Sequence, residues 1–231
     1  MSSIAIITAR GGSKRIPRKN IKDFLGKPII AYSIEAALKS GIFNEVMVST
    51  DDEEIAEIAR KYGASVPFLR SEKTSNDFAT TADVLSEVIE KYTEMGKTFD
   101  SFTCIYPTAP FVTAEKLKNA KETFYKEDAD SLVPVVRFSF PPQRGFVCRD
   151  SFIKFQYPEY ALKRSQDLEP IYHDCGQFYM LKTSAFLEKK TMVMDRTVPF
   201  IVPETEVQDI DTESDWIIAE QKYRMLHSEG K

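Results

Sequence analysis

The sequence predicts an α/β protein, a mostly parallel sheet flanked by helices, on three observations. Residues 4–7 (Ile4, Ala5, Ile6, Ile7) form a short unbroken apolar run, the pattern of a parallel strand buried on both faces. That run leads straight into a loop with two adjacent glycines and many cations, and open α/β sheets hold ligands at the carboxyl ends of their strands. Short β-type runs and helix-periodic stretches then alternate along most of the chain, which calls for right-handed crossovers between parallel strands.

After the loop, Gly26, Lys27 and Pro28 open a helix in which Ile30, Ile34, Ala37 and Leu38 recur at helical spacing and Gly41 is the stop. Residues 46–49 read as a second strand. Asp51 and Asp52 cap the helix behind it, with Glu53 and Glu54 in its first turn, where the helix dipole favours acids. Asp51 stands at a strand end, so ligand contact is the alternative to capping. Residues 66–69 read as a third strand that delivers Arg70. A polar loop, 75–81, leads into a helix with Val84, Leu85, Val88, Ile89 and Tyr92 inward. Residues 102–106 are a strong strand, Thr113 caps the next helix, and 131–136 form another strand in which Pro134 calls for a bulge or an edge. The alternation fails over residues 138–172, an aromatic- and proline-rich excursion expected to cover a site or meet another subunit. It resumes at 176–181 and 199–202. Thr212 with Asp215 three residues on resembles a capping box that starts a last helix.

The bulk numbers narrow the function classes. With 231 residues, a single domain spanning 1–231 with the 138–172 excursion inside it is expected. A net charge of −4 argues against a nucleic-acid-binding surface. No apolar stretch reaches membrane-spanning length and no signal-peptide core is read at the start. Three scattered cysteines make a disulfide framework unexpected, and two histidines without a CxxC argue against zinc. A cytoplasmic location fits these features.

Two constellations carry chemistry. Between Arg10 and Lys22 lie six cations and no acid, with Gly11 and Gly12 free to turn bare N–H groups toward an anion. Strand, glycines and cations together read as a polyphosphate site rather than a solvated basic loop, although both the Walker pattern and GxGxxG are missing. In Asp209-Ile210-Asp211 the two carboxylates share one side of an extended segment and Ile210 faces the core. Spacing alone serves a helix cap and a divalent cation equally; the phosphate loop in the same chain tips the reading to the cation. Arg164, Gln166, His173, Asp174, Cys175 and Gln177 form dense polar clusters. Residues so close along a strand point to opposite faces, so a Cys175/His173/Asp174 nucleophile set is not expected. Positioning of a small anionic substrate is.

The run Ala9-Arg10-Gly11-Gly12-Ser13-Lys14-Arg15-Ile16-Pro17-Arg18-Lys19-Asn20 resembles the signature loop of the acylneuraminate cytidylyltransferases, the CMP-sialic acid synthetase family. Ser49-Thr50-Asp51, Tyr106-Pro107-Thr108-Ala109-Pro110 and Asp209-Ile210-Asp211 follow in that family's order, so the resemblance covers the whole chain. Residues 164–168 and 172–179 are similar to the branch that activates pseudaminic acid. The resemblance implies a Rossmann-like nucleotide-diphosphosugar-transferase fold, a homodimer built through the excursion, and the joining of CTP to an anionic nine-carbon sugar acid with release of pyrophosphate. It implies that Arg10, Ser13 and Lys19 hold the triphosphate, that Ala9, Gly11, Gly12 and Asn20 also bind the nucleotide, and that Arg70 with the 76–81 loop, Thr80 and Thr81 included, holds the nucleoside. It places Mg²⁺ on Asp209 and Asp211, and the sugar at Tyr106, Arg144, Arg164, Gln166, His173 and Gln177. Arg10, Lys19, Asp209 and Asp211 are the implied catalytic set. Tyr106, where the sialic acid enzymes commonly carry Gln, and His173-Asp174-Cys175, where they carry Arg-Pro-Asn, point away from sialic acid itself. Legionaminic or N-acetylneuraminic acid is the nearest alternative substrate, and a non-catalytic nucleotide-binding regulatory module the alternative of another class.

Overall fold

The computed structural model describes residues 1–228. Strand β1 (Ser3–Thr8) runs between two neighbours and its four central residues are fully buried. Behind the basic loop come a two-residue hairpin, β2 (Asp23–Phe24) and β3 (Lys27–Pro28), then α1 (Ile29–Ser40), β4 (Glu45–Ser49) and α2 (Glu53–Lys61). The short α3 (Glu72–Ser75) precedes α4 (Thr81–Glu94), followed by β5 (Ser101–Ile105), α5 (Ala114–Lys126) and β6 (Ser131–Arg137). A separate hairpin, β7 (Phe146–Arg149) and β8 (Phe152–Phe155), interrupts the order. Then come β9 (Tyr172–Asp174), β10 (Phe178–Lys182), α6 (Thr183–Lys189), β11 (Thr197–Ile201) and α7 (Glu213–His227).

The main sheet has the order β11-β6-β10-β5-β1-β4, with β9 pairing β6 as a seventh strand. β1, β4, β5, β6 and β11 run one way, and β9 and β10 run against them. The mostly parallel expectation therefore holds, with two reversed strands inserted. Side-chain alternation divides the core into two layers. Ala5 and Ile7 pack with α1, α2 and α5, while Ile4 and Ile6 pack with α4 and α6.

Some elements differ from the sequence reading. Residues 66–69 form no strand; only Ser65 makes a bridge, to Met47. Pro67 removes a ladder donor there, so the segment passes the sheet edge without joining it. Pro134 lies on an interior strand, not an edge, and a bulge does occur opposite it. Leu132 pairs Met180 whereas Val135 pairs Asp174, so residues 175–179 stand against Val133 and Pro134 alone. The Pro134 carbonyl still accepts from the Cys175 N–H at 3.0 Å. The ring nitrogen, having no hydrogen, faces an irregular partner that asks for none. Two tight hairpins escaped the sequence reading because their turn residues are atypical: Leu25 with Gly26, and Asp150 with Ser151, have positive φ at both corners.

A third core cluster fixes the chain's end against its beginning. Phe24 meets Tyr32, Trp216 and Tyr223 edge to face at 5.4, 5.5 and 5.7 Å, and Ile16 and Ile210 share that cluster. Such pairs contribute about 0.5–1.5 kcal/mol each beyond area burial. Helix α7 opens with the expected capping box of Thr212 and Asp215 and buries Trp216 and Ala219. Among the described residues no helix is long and apolar enough to cross a membrane.

Glu87 on α4 ties down the segment that flanks the main cavity. It accepts from the Ser71 N–H and Ser71 Oγ, both at 2.8 Å, from Thr74 Oγ1, and pairs with Lys91 at 3.0 Å. Burial alone raises its pKa, but the hydrogen bonds from Thr74 and Ser71 and the Lys91 contact win and hold it down at about 2. Since the folded value lies below the unfolded one of about 4.3, this stabilisation is complete above that pH and is lost as pH falls through about 2. Urea titrations of Glu87→Gln should show a loss of about 1–3 kcal/mol near neutral pH. The gap to the parent protein should be constant down to about pH 5 and shrink below about pH 4; a gap independent of pH throughout would contradict the assignment.

Candidate active site

The basic loop leaves β1 and is held at several points. The Ala9 N–H donates to Ser49 O at 2.9 Å, the Gly11 N–H to Asp51 Oδ1 at 2.9 Å, and Asn20 Nδ2 to Arg10 O at 2.8 Å. Asp52, not Asp51, caps α2, accepting from the Ile55 N–H. Asp51 anchors the loop instead. Arg18, in left-handed backbone with φ 56°, reaches both Asp52 and Glu54 and so pins the loop to the start of α2. The Asp52 contact comes first in raising the Arg18 pKa, and Arg18 likewise leads in lowering that of Asp52.

This arrangement encloses a cavity of about 510 Å³ at the carboxyl ends of β1 and β5. Arg10, Ser13, Lys14, Arg15, Lys19 and Asn20 line it from the loop, with Arg70, Thr81 and Tyr106 opposite. The cations meet acids delivered from elsewhere. Arg10 and Lys14 pair with Asp77 at 2.8 and 2.5 Å, and Arg15 pairs with Asp211 at 2.9 Å. Lys19 Nζ donates to Ile210 O at 2.6 Å and lies 3.5 Å from Asp211 Oδ1. Arg70 is buried, with Nε on Ser49 Oγ at 3.2 Å and Nη2 on Ser49 O at 2.7 Å; burial lowers its pKa while Asp51 and Glu87 oppose the change. Tyr106 places its hydroxyl 3.3 Å from Thr81 Oγ1, and burial raises its pKa. The Thr80 hydroxyl is engaged with Asp83 in the capping box of α4.

A second cavity of about 490 Å³ is lined by Arg137, Phe138, His173, Asp174, Asp209 and Lys222, among others. Ile210 is buried between the two aspartates, as the extended reading requires. Burial, then the neighbouring Asp211 charge, pushes the Asp209 carboxyl up. Two mutually repelling carboxylates suit a hard cation that takes its other ligands from water and phosphate. Among the described residues no group of three or more His, Cys, Asp or Glu side chains gathers for a metal, so a cage built only from protein ligands does not fit. Gln177 is buried; its Nε2 donates to Glu206 O at 2.6 Å and its Oε1 has no hydrogen-bond partner. The His173 ring lies tilted against Phe138 with ring centroids 4.6 Å apart. Cys175 is buried and its thiol is pushed up to about 12, chiefly by burial, which removes it as a nucleophile near neutral pH.

The structure thus gathers Arg10, Ser13, Lys19, Asn20, Arg70, Thr81 and Tyr106 around one cavity, and His173 and Asp209 around the next. Ala9, Gly11, Gly12, Thr80, Gln177 and Asp211 line neither cavity. Arg144, Arg164 and Gln166 do not line them either. They sit on the excursion, where Arg144 contacts Ser165 Oγ at 3.2 Å and Arg164 pairs with Asp167 at 2.8 Å. Lys14 and Arg15, visible in the sequence only as loop charges, join the site. Asp77 falls in the 76–81 loop expected to hold the nucleoside, but its pairing with Arg10 and Lys14, the latter 63 residues away, carried no local signal.

The two loop glycines should respond differently to substitution. A Cβ on Gly11 would lie 2.7 Å from Asp52 Oδ2 and 3.0 Å from its Cβ, and Asp52 is already held by Arg18 and the helix cap; a Cβ on Gly12 meets nothing within 4 Å. Gly11→Ala is expected to cost about 1–3 kcal/mol in a denaturant titration, with Gly12→Ala close to the parent. Equal effects would contradict this packing.

Residues 4–210 match the family model described as cytidylyltransferase. The chain is 44% identical over 228 residues to pseudaminic acid cytidylyltransferase of Campylobacter jejuni, covering 98% of each. It is 38% identical over 233 residues to CMP-N,N'-diacetyllegionaminic acid synthase of Legionella pneumophila, covering 96% of each. Among solved structures, CMP:2-keto-3-deoxy-manno-octonic acid synthetase complexed with CTP shares the fold, with a TM-score of 0.70 at 17% identity over 99% of this chain and all of that one. On the family match and these identities, the chain belongs to the cytidylyltransferase family.

Proposed function

We propose that this chain joins CTP and pseudaminic acid to give CMP-pseudaminic acid and pyrophosphate. The observation that carries the reading is the 44% identity, extending over 98% of both chains, to an enzyme of that name. The cation-lined cavity beside Asp209 and Asp211 supports it on chemical grounds. In the proposed reaction the anomeric hydroxyl oxygen of the sugar acid attacks the α-phosphorus in line. The bond from that phosphorus to the bridging oxygen breaks, pyrophosphate leaves, and the hydroxyl proton is released. Arg10, Ser13 and Lys19 bind the triphosphate, with Arg10 and Lys19 taking up charge that develops on the leaving group. Arg70 and the 76–81 loop hold the nucleoside. Tyr106 and His173 face the sugar acid, orienting its hydroxyl and excluding water, while the buried Gln177 accepts from the Tyr106 N–H behind them.

Asp209 and Asp211 are the residues that would hold Mg²⁺, which when bound would draw charge from the phosphate oxygens. Arg144, Arg164 and Gln166 are assigned to a partner copy's sugar pocket in a homodimer. Large apolar side chains exposed on the excursion support that assignment: Phe140 is 87% exposed, Phe152 72% and Leu162 100%.

Asp77 holds Arg10 and Lys14 where phosphates are proposed to bind, and a triphosphate must displace it. Calorimetry should therefore find CTP bound severalfold more tightly by Asp77→Asn than by the parent chain, and weaker binding would remove the proposed competition. The assay for the function itself is pyrophosphate release with CTP and Mg²⁺ on pseudaminic, legionaminic or N-acetylneuraminic acid. Release with pseudaminic acid alone is expected. Preference for another acid would keep the reaction and overturn the substrate, and CTP binding without release on any acid would point to a regulatory module.

A further inference from the structure

A connection between the exposed Asp174 and the buried Tyr179 has no role in the reaction as described. Asp174 ends β9 and Tyr179 lies in β10, on either side of the break at residues 175–177. Tyr179 donates its hydroxyl to Asp174 Oδ2 at 2.6 Å, and the Gly176 N–H donates to Oδ1 at 2.8 Å. Both carboxylate oxygens therefore have a protein donor, although Asp174 itself is exposed. Tyr179 is 3% exposed, and burial, followed by the nearby Tyr106 and Asp174, raises its pKa. The phenol stays protonated, and an ionised carboxylate only accepts, so the direction of this bond is fixed.

These two bonds support Tyr106. The Tyr179 ring meets the Tyr106 ring edge to face at 5.5 Å. Gln177, in the turn that Asp174 clamps, accepts from the Tyr106 N–H through its carbonyl at 2.9 Å. Ring and backbone of Tyr106 thus rest on the same segment. At its other end the Tyr106 hydroxyl reaches Thr81 in the first cavity, while Asp174 lines the second.

We propose that Asp174 and Tyr179 are positioning residues that set the orientation of Tyr106 between the two cavities, and through it the acceptance of the sugar acid. The kinetic half of this rests on the transferase reading above; the structural half stands without it. Asn at 174 keeps the shape but replaces one acceptor oxygen with a donor, so one of the two contacts is lost or reversed. Tyr179→Phe leaves Asp174 Oδ2 without its protein donor. Both changes break the same bond, so their effects should not add.

The test compares Asp174→Asn, Tyr179→Phe and the double variant by pyrophosphate release with CTP and pseudaminic acid. In parallel, tyrosine labelled with carbon-13 at the ring carbon bearing oxygen gives an NMR signal for Tyr106, assigned by its loss in Tyr106→Phe. Each single variant is expected to lose roughly tenfold in kcat/KM for the sugar acid. The double variant should be no worse than the worse single one, and KM for CTP should not change. The Tyr106 signal should move in all three, while that of Tyr92, in the α4 layer, stays. Additive losses, an equal rise in KM for CTP, or a Tyr106 signal that does not move would each overturn the proposal. If Asp174→Asn does not fold, Tyr179→Phe gives the same two readouts. If the parent chain releases no pyrophosphate with pseudaminic acid, the substrate assignment fails, and the NMR signal alone decides the positioning claim.

Discussion

Six positive side chains between Arg10 and Lys22 repel one another, and the fold exists in this form because acids from distant segments neutralise them. Asp77 takes Arg10 and Lys14, Asp52 and Glu54 take Arg18, Asp211 takes Arg15 and Lys19, and Glu213 takes Lys22. Singly, such exposed pairs contribute little, about 0–1 kcal/mol each. As a set they decide geometry, because each pair draws a different element to the loop: the segment before α4, the start of α2, and the approach to α7. The cationic loop is thus kept in shape by carboxylates, and those carboxylates fall into two kinds. Asp52 and Glu54 fix the far side of the loop, while Asp77 lines the cavity and Asp211 pairs with Arg15 and Lys19, which line it.

Apolar packing makes that electrostatic arrangement possible. Ile16 from the loop, Phe24 from the first hairpin, and Ile210 and Trp216 from the last segment share one cluster. It brings Asp209 and Asp211 beside Lys19 across 190 residues or more of sequence, which ion pairing in water does not do by itself. The aspartate pair is accordingly positioned by what lies between its members: Ile210 is buried, so its neighbours must face outward.

The two reversed strands have a comparable role on the other side of the site. β9 and β10 are successive lengths of chain against β6, broken at 175–177 where Pro134 offers no donor. The break turns Gln177 inward and lets Asp174 reach back to Gly176 and Tyr179. A proline that weakens a sheet locally is here accommodated by an irregular partner, and the irregularity lines the site.

Much of this was written in local pattern. The buried run of β1, the caps at Thr113 and Thr212, the Gly41 stop and the outward pairing of Asp209 and Asp211 follow from spacing and residue type, which act over a few residues. The cation-rich loop at the end of β1 was legible for the same reason, and it does line the main cavity. Pro67 cancelled a strand that the apolar pattern of 66–69 suggested, because a missing donor outweighs side-chain preference at a sheet edge. Only tertiary structure could decide that Asp51 holds Gly11 while Asp52 caps, that Asp77 closes on Arg10 and Lys14, and that Asp174 clamps the turn beneath Tyr106. Each of those contacts joins groups whose partners are chosen by packing across the sheet, and no periodicity along one strand or helix encodes which distant side chain will arrive.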